Sequence, residues 1–153
     1  MTILNARRAE AAAGEIVHAD TQRGEAGFDL TVDEVFVLNG KGALDFGGSE
    51  FKPASYTRLE AELADPEDDY GWWNVEAGSY LIRFNETVKL EADEVAFIYP
   101  HRRLLAAGLQ HPAFVVDESL DEVGVLIQCT GPGARLKENA RVSTLIAAEK
   151  EAE

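Results

Sequence analysis

The feature that most restricts the fold of this chain is a series of short β-type segments separated by turns, many of them containing glycine. Alternating and β-branched residues predict strands at 15–18, 26–38, 72–75, 79–85, 87–90, 94–99, 114–117, 123–129 and 140–147. Turn residues cluster at 39–42, 47–49 and 131–133. Many short strands with such turns are typical of a sandwich or a barrel, so we expect an all-β fold. The alternation alone does not choose between these two architectures.

Helical signals are few and short. The alanine-rich segment 2–13 predicts a helix capped by Asn5 or Thr2, and residues 55–64 predict a second one. With 153 residues the chain has the length of one domain, which we expect to span 1–147 and to be followed by an acidic C-terminal tail at 148–153.

The charge balance limits the partners of the protein. The chain has 28 acidic and 14 basic residues and a net charge of −14, so free nucleic acid and anionic membranes would be repelled. The acidity fits an ordinary soluble protein or a halophilic one that stays hydrated at high ionic strength, and we favour the second. With one cysteine, no secretory signal and no apolar run of about 20 residues, we expect a cytoplasmic protein.

Common catalytic signatures are missing from the sequence. It has no glycine-rich phosphate loop ending in Lys-Ser/Thr and no Gly-x-Ser-x-Gly nucleophile turn. None of His18, His101 and His111 has a second histidine four positions later, so the helical metal pair is absent. Cys129 lies in an apolar strand, where a core role is more common than a nucleophilic one.

Two segments remain as functional candidates. In Gly24–Leu30 (GEAGFDL) two glycines precede an aspartate on a strand, which lets the backbone approach a ligand closely. In Tyr99–Leu109 a histidine and two arginines form a compact basic group within an acidic protein. Arginine pairs bidentately with phosphate, so this group is a candidate anion site. An ion-paired contact with another subunit or domain explains it equally well.

Taken in order, several segments resemble motifs of the dUTPase and dCTP deaminase superfamily over roughly residues 1–147. Gly24–Leu30 is similar to the first motif, and Gly78–Val88 (GSYLIRFNETV) to the segment before the second motif in archaeal members. Pro100–Gly108 (PHRRLLAAG) is similar to the second motif, and Phe114–Asp117 (FVVD) to the strand and aspartate of the third. The resemblance implies a distorted β-barrel or jelly-roll of the dUTPase-like type with short helical segments. It also implies a homotrimer with active sites between subunits.

The resemblance assigns roles to individual residues. Asp117 matches the aspartate that contacts the deoxyribose and activates the attacking water, so it is the expected catalytic residue. Asp29 matches the acid near the triphosphate-bound Mg²⁺, which implies Mg²⁺ as cofactor and Asp29 as its protein contact. The implied nucleotide- and phosphate-binding positions are His101, Arg102, Arg103, Gly108, Leu120 and Gln128.

The sequence departs from the family pattern at several of these positions. Arg102 and Arg103 replace the two serines of the second motif, and His101 replaces its leading arginine. Leu120 stands where the family has the aromatic residue that packs under the sugar. The glycine-rich C-terminal arm that closes over the nucleotide in many dUTPases has no counterpart.

These departures shape the functional hypothesis. The deaminase glutamate would fall near Ile127 or Gln128, and neither is a carboxylate, which argues against dCTP deamination. We therefore expect a divergent pyrophosphatase that converts dUTP to dUMP and pyrophosphate, with a small deoxynucleotide as its partner. One alternative is a catalytically silent trimer that binds nucleotide or phosphate and has a regulatory role. Another is an unrelated β-domain used for protein assembly.

Overall fold

The computed structural model describes residues 1–152, which form a mainly β fold with three short helices. In chain order the elements are β1 (Thr2–Ile3), α1 (Ala6–Ala12), β2 (Ala13–Gly14), α2 (Ala19–Gln22), β3 (Phe28–Gly40), β4 (Ser55–Leu59), β5 (Trp72–Val75), β6 (Gly78–Phe84), β7 (Thr87–Val88), β8 (Glu94–Pro100), α3 (Arg102–Ala106), β9 (Leu109–Gln110), β10 (Phe114–Val116), β11 (Gly124–Cys129), β12 (Ala134–Lys137) and β13 (Arg141–Glu149).

A curled antiparallel sheet of nine strands dominates the fold. Its order is β10-β8-β13-β3-β6-β11-β9, with β1 paired to β13 and β4 paired to β3. Two smaller pairs, β12-β5 and β2-β7, lie outside this sheet. The core consists of inward-facing strand residues such as Phe28, Ile82, Ile98 and Leu145, all fully buried. The predicted all-β class with short helices is confirmed.

Several local predictions are also confirmed. Helix α1 begins after the predicted cap Asn5, whose side chain accepts a hydrogen bond from the backbone N–H of Arg8 at 3.1 Å. The helix is shorter than the predicted range 2–13, because Thr2–Ile3 and Ala13–Gly14 form β1 and β2. The strand predicted at 26–38 is present as β3, with a register shift between Val32 and Glu34. The strands predicted from residue 72 onward are present with small changes at their ends.

The strand predicted at 15–18 is wrong. Glu15 has a φ of 55°, in the left-handed region, so the chain turns away from extended geometry at this residue. The side chain of Gln22 then accepts hydrogen bonds from the backbone N–H groups of Val17 and His18, at 3.1 and 2.7 Å. A buried side chain, and not a neighbouring strand, therefore satisfies these backbone groups.

The helix predicted at 55–64 and the turn predicted at 39–42 are wrong for a common reason. Strand β3 continues through Gly40, and the chain reverses only near Gly47 and Gly48. The returning segment Ser55–Leu59 then pairs with β3 as β4, with Leu59 opposite Val35. Pairing with a long neighbouring strand outweighs the local helix signal.

The C-terminal strand runs further than predicted. Ala148 lies opposite Val95 and Glu149 opposite Glu94, so the first two residues of the expected tail belong to the sheet. Glu153, the last residue of that tail, lies outside the described residues. No helix within residues 1–152 has the length and apolarity needed to cross a membrane.

A carboxyl group is buried behind β3. Glu86 is 1% exposed, and its carboxyl oxygens lie 2.7 and 2.8 Å from the Thr31 hydroxyl, which donates to them. Burial raises the pKa of Glu86 from 4.5 to about 7, and the hydrogen bonds from Thr31 offset only part of this effect. Between pH 4.5 and about 7, Glu86 therefore stays protonated in the folded state, whereas the same carboxyl group is ionised in the unfolded chain.

This buried acid predicts a pH-dependent stability. The proton that Glu86 retains stabilises the fold fully below pH 4.5, and the contribution is lost as pH rises through about 7. We expect Glu86→Gln, which stays neutral, to match the wild type at pH 4 and to exceed it at pH 8 by up to about 3 kcal/mol. Urea unfolding at the two pH values, in the same KCl, measures the difference. The exposed control Glu60→Gln should show no such change, and an effect of Glu86→Gln that is equal at both pH values would contradict the assignment.

Candidate functional site

The Asp29 carboxylate lies where three strands meet. Asp29 in β3 is opposite Thr144 in β13, and Thr144 is opposite Tyr99 in β8. The hydroxyl of Thr144 donates to Asp29 Oδ1 at 2.9 Å, and Arg141 Nη1 donates to Oδ2 at 3.2 Å. His101 Nε2, just beyond the end of β8, is 3.3 Å from the same Oδ2. Asp29 therefore ties β3, β13 and the segment after β8 together.

A β-bulge explains how Arg141 reaches this carboxylate. Arg141 and Thr144 are an odd number of residues apart, so in a regular strand they would face opposite sides of the sheet. The register shift between Arg141 and Ser143 turns Arg141 to the side of Thr144. The guanidinium also donates to the backbone oxygen of Thr21 at 3.2 Å, which fixes its direction.

This environment of Asp29 does not fit a direct metal ligand. Both carboxylate oxygens already contact donors of the same chain, and the side chain is only 9% exposed. Within residues 1–152, no three His, Cys, Asp or Glu side chains are grouped so that they could hold a metal ion. The resemblance implied Asp29 as a metal contact, but its carboxylate oxygens already contact Arg141, Thr144 and His101.

The basic segment forms a helical turn with two available cations. Helix α3 begins after His101, whose Nδ1 accepts from the backbone N–H of Arg103 at 3.0 Å. Arg102 and Arg103 are exposed, and neither forms an ion pair with a carboxylate in the described part of the chain. Gly108 ends the turn with a φ of 88°, a value that favours glycine. Both guanidinium groups can therefore face an anion from outside the subunit.

Asp117 lies far from this basic segment within one subunit. It follows β10, is exposed, and comes directly after Val116, which pairs with Ala96. Asp117 is therefore beside Val95, and the extended backbone from Val95 through the end of β8 to His101 spans about 20 Å. The predicted catalytic carboxylate and the predicted phosphate-binding cations lie at opposite ends of one strand.

The two remaining predicted positions are Leu120 and Gln128. Leu120 exchanges two backbone hydrogen bonds with Val88, at 2.9 and 3.0 Å, and its half-buried side chain packs against the core. Gln128 in β11 accepts from Gln110 Nε2 at 3.2 Å. A cleft of about 410 Å³ is lined by Gln110, His111, Pro112, Leu126 and Gln128.

The cleft beside Gln128 contains no carboxylate. The ring of His111 bonds to the hydroxyl of Ser143 at 2.8 Å and to the backbone oxygen of Pro112 at 2.8 Å. Burial lowers the pKa of His111 below its ordinary value and favours the neutral ring. The residues lining this cleft therefore provide hydrogen bonds, but no acidic group that could move a proton.

The sequence analysis missed a second group of cations. Arg135 and Lys137 in β12 flank Trp72 in β5, and together with Arg103 and Arg141 they line a cavity of about 430 Å³. The available signal was a pair of basic residues two positions apart in an acidic chain. Because the segment 134–137 was not predicted as a strand, their common face was not recognised.

Curated proteins are similar in sequence to this chain over most of its length. No protein-family model matches this chain. It is 32% identical over 132 residues to a "Probable deoxyuridine 5'-triphosphate nucleotidohydrolase" of Methanosarcina acetivorans, which covers 85% of this chain and 74% of the relative. A relative of the same name from Aeropyrum pernix is 32% identical over 129 residues, covering 82% of this chain and 75% of the relative.

A solved structure shares the fold. 2'-Deoxycytidine 5'-triphosphate deaminase from Agrobacterium tumefaciens superposes with a TM-score of 0.67 at 14% sequence identity. The match covers 99% of this chain and 49% of the deaminase chain, so the present chain spans about half the length of that protein. At this identity the likeness concerns the fold alone.

Proposed function

Because this chain belongs to the deoxyuridine 5'-triphosphate nucleotidohydrolase (dUTPase) family, we propose that it hydrolyses dUTP to dUMP and pyrophosphate. The observation that carries this proposal is the pair of groups at the two ends of β8. An exposed carboxylate, Asp117, lies at one end, and two exposed guanidinium groups without ion pairs in residues 1–152, Arg102 and Arg103, lie at the other.

Asp117 acts as the general base. Its carboxylate takes a proton from a water molecule while the water oxygen attacks phosphorus, and the bond between the first and second phosphates breaks. Its exposure at the end of β10 leaves the carboxylate accessible to a nucleotide and to water.

Arg102 and Arg103 bind the phosphates. Guanidinium groups pair bidentately with phosphate oxygens and stabilise the negative charge that develops on the departing pyrophosphate. His101 has a positioning role, because one ring nitrogen bonds the backbone of Arg103 and the other contacts Asp29. The start of α3 is in this way attached to the sheet.

The separation along β8 favours a site shared between subunits. Groups about 20 Å apart cannot act on one phosphate bond, so Asp117 of one subunit faces a nucleotide held by Arg102 and Arg103 of its neighbour. A homotrimer provides such heterologous contacts in a closed ring. Tyr99 in β8 and Ile3 in β1, which remain 46% and 70% exposed, provide apolar surface for such a contact.

Residues 1–152 contain no group of three acidic, histidine or cysteine side chains that could hold a divalent metal. Mg²⁺ prefers several oxygen ligands in octahedral geometry, whereas the oxygens of Asp29 contact Arg141, Thr144 and His101. The expected Asp29–Mg²⁺ contact does not fit these residues. The roles proposed for Asp117, Arg102 and Arg103 do not depend on this contact.

Deamination is not part of the proposed function. Ile127 is fully buried and Gln128 bonds to Gln110, so neither residue at the expected position supplies a carboxylate. Without a group that accepts and returns a proton at the base, the amino group of dCTP would not be exchanged.

A deoxynucleotide panel tests the activity. We expect pyrophosphate from dUTP, no ammonia from dCTP, and activity retained in molar KCl, where screening reduces the self-repulsion of the acidic chain. Pyrophosphate and ammonia are measured in parallel at low and high KCl. Failure to turn over any deoxynucleotide at either concentration would refute the hydrolase.

One observation favours a silent binding protein as the second candidate. Leu120 packs against the core and is fixed by backbone pairing with Val88, so it offers no aromatic face to a sugar. A trimer that binds nucleotide through Arg102 and Arg103 without turning it over would show dUTP binding by calorimetry and no pyrophosphate in the same panel.

A further inference from the structure

A cavity beside α3 is lined by cations and contains no acid. Its volume is about 430 Å³, within the usual range for small-molecule sites, and Arg103, Arg135, Lys137 and Arg141 lie on its wall. We call it the cationic cavity. None of its lining residues is Asp or Glu, although the chain has 28 acids and 14 basic residues. The lining of the cavity is therefore positively charged, whereas the chain as a whole has a net negative charge.

Two of these cations are held in place by an aromatic ring. Arg135 and Lys137 are two positions apart in β12 and so share one face, and Lys137 lies directly opposite Trp72 in β5. The Arg135 guanidinium is 4.3 Å and the Lys137 ammonium 5.3 Å from the ring centroid of Trp72. Cation–π contacts of this kind orient both groups without neutralising them.

The same two cations lack a carboxylate partner. Arg135 and Lys137 form no ion pair within residues 1–152, despite the excess of acids. In contrast, Arg23, Arg58 and Arg83 each pair with an acid. The positive charges of Arg135 and Lys137 are therefore available to a ligand from outside the chain.

The other two cations complete the cavity from the opposite side. Arg141 is fixed by Asp29 and by the Thr21 backbone oxygen, and Arg103 projects from α3. Leu104, Leu136 and Val142 form part of the wall, and all three are buried. Charges beside apolar surface are less screened by water, so they attract an anion more strongly than the same charges in open solvent.

We propose that the cationic cavity binds the phosphate groups of a small molecule through Arg103, Arg135, Lys137 and Arg141 of a single subunit. Identifying that molecule as the nucleotide substrate or its pyrophosphate product rests on the proposed function, whereas the anion site itself does not. Arg103 takes part in both sites, because it belongs to the second-motif segment and also lines this cavity.

Calorimetry with inorganic pyrophosphate tests the site directly. We expect the double variant Arg135→Ser/Lys137→Ser to bind pyrophosphate at least about tenfold more weakly than the wild type. The matched control Lys41→Ser/Lys52→Ser removes the same charge from exposed positions outside the cavity and should bind as the wild type does. The exchange Arg135→Lys/Lys137→Arg keeps both charges and should retain most of the affinity.

The outcomes show whether the cationic cavity binds the phosphates of dUTP or a different phosphate compound. If the KM for dUTP rises together with the loss of pyrophosphate affinity, the phosphates of the substrate occupy the cavity. If only pyrophosphate affinity falls, the cavity holds a free phosphate compound. Equal affinity in the wild type and the serine variant, or an equal loss in the control, would overturn the proposal. Because binding is measured without turnover, a missing hydrolase activity would leave this result interpretable.

Discussion

Replacing Asp117 by asparagine is expected to lower kcat for dUTP hydrolysis by about a thousandfold, the usual contribution of a positioned general base. Asparagine keeps the size of the side chain, but it cannot accept a proton from water. The KM should therefore change little. Steady-state release of pyrophosphate from dUTP, with substrate varied around KM, separates the two constants.

The neighbouring acid provides a matched control for this substitution. Glu118 is also exposed, follows Asp117 directly and carries the same charge, so Glu118→Gln tests the loss of a carboxylate in this loop. We expect its kcat to stay near that of the wild type. If Asp117→Asn retained half of the wild-type activity, Asp117 would not be the base, while the phosphate-binding role of the arginines would be unaffected.

Mixing two inactive variants is expected to restore activity. The Asp117→Asn variant lacks the proposed general base, and the Arg102→Ala/Arg103→Ala variant lacks the proposed phosphate-binding side chains. A shared site is intact only where Asp117 comes from the arginine variant and the arginines come from the Asp117→Asn variant. Each mixed trimer has one such interface in its ring, so purified mixed trimers should recover about a third of the wild-type activity. The two chains can be co-expressed with different tags, purified through both tags and assayed for pyrophosphate release.

A second mixture controls for effects unrelated to the interface. Asp117→Asn combined with Asp117→Ala has no intact base in any subunit, so its activity should stay at the level of the separate variants. Absence of recovery in the first mixture, with mixed trimers present, would show that each site is built within one subunit. A monomer in solution would remove the shared site altogether.

Much of the β architecture was accessible from the sequence. From Trp72 onward, alternating apolar residues and β-branched side chains mark strands such as β6 and β8, and turns separate them. These strands are long enough for the period of two to stand out. The sequence analysis missed the short strands β9 and β12, which have two and four residues.

The prediction errors depend on partners that are distant in sequence. Residues 55–64 contain helix formers, but Ser55–Leu59 lies along β3 and completes an antiparallel pair. Residues 15–18 are extended by composition, but the side chain of Gln22 takes their backbone hydrogen bonds. Local propensity is a weak guide wherever a long-range hydrogen-bond partner is available.

The sequence likewise predicted single residues of the candidate site, but not their surroundings. The motif identified Asp29, Arg103 and Asp117 from short segments, and these residues have defined places in the fold. The surroundings of Asp29 were not accessible, because a bulge in β13 brings Arg141 to its carboxylate. A register shift in one strand changes which side chain faces a residue in another, and no local pattern predicts this.

The length of β8 has a consequence for how the protein behaves on dilution. Strand β8 keeps the proposed base, Asp117, about 20 Å from the proposed phosphate-binding arginines, too far for a lone subunit to complete the proposed reaction. Turnover per chain should then fall once the concentration drops below the dissociation constant of the assembly. The amount of chain a cell makes would thus govern its activity more steeply than in direct proportion.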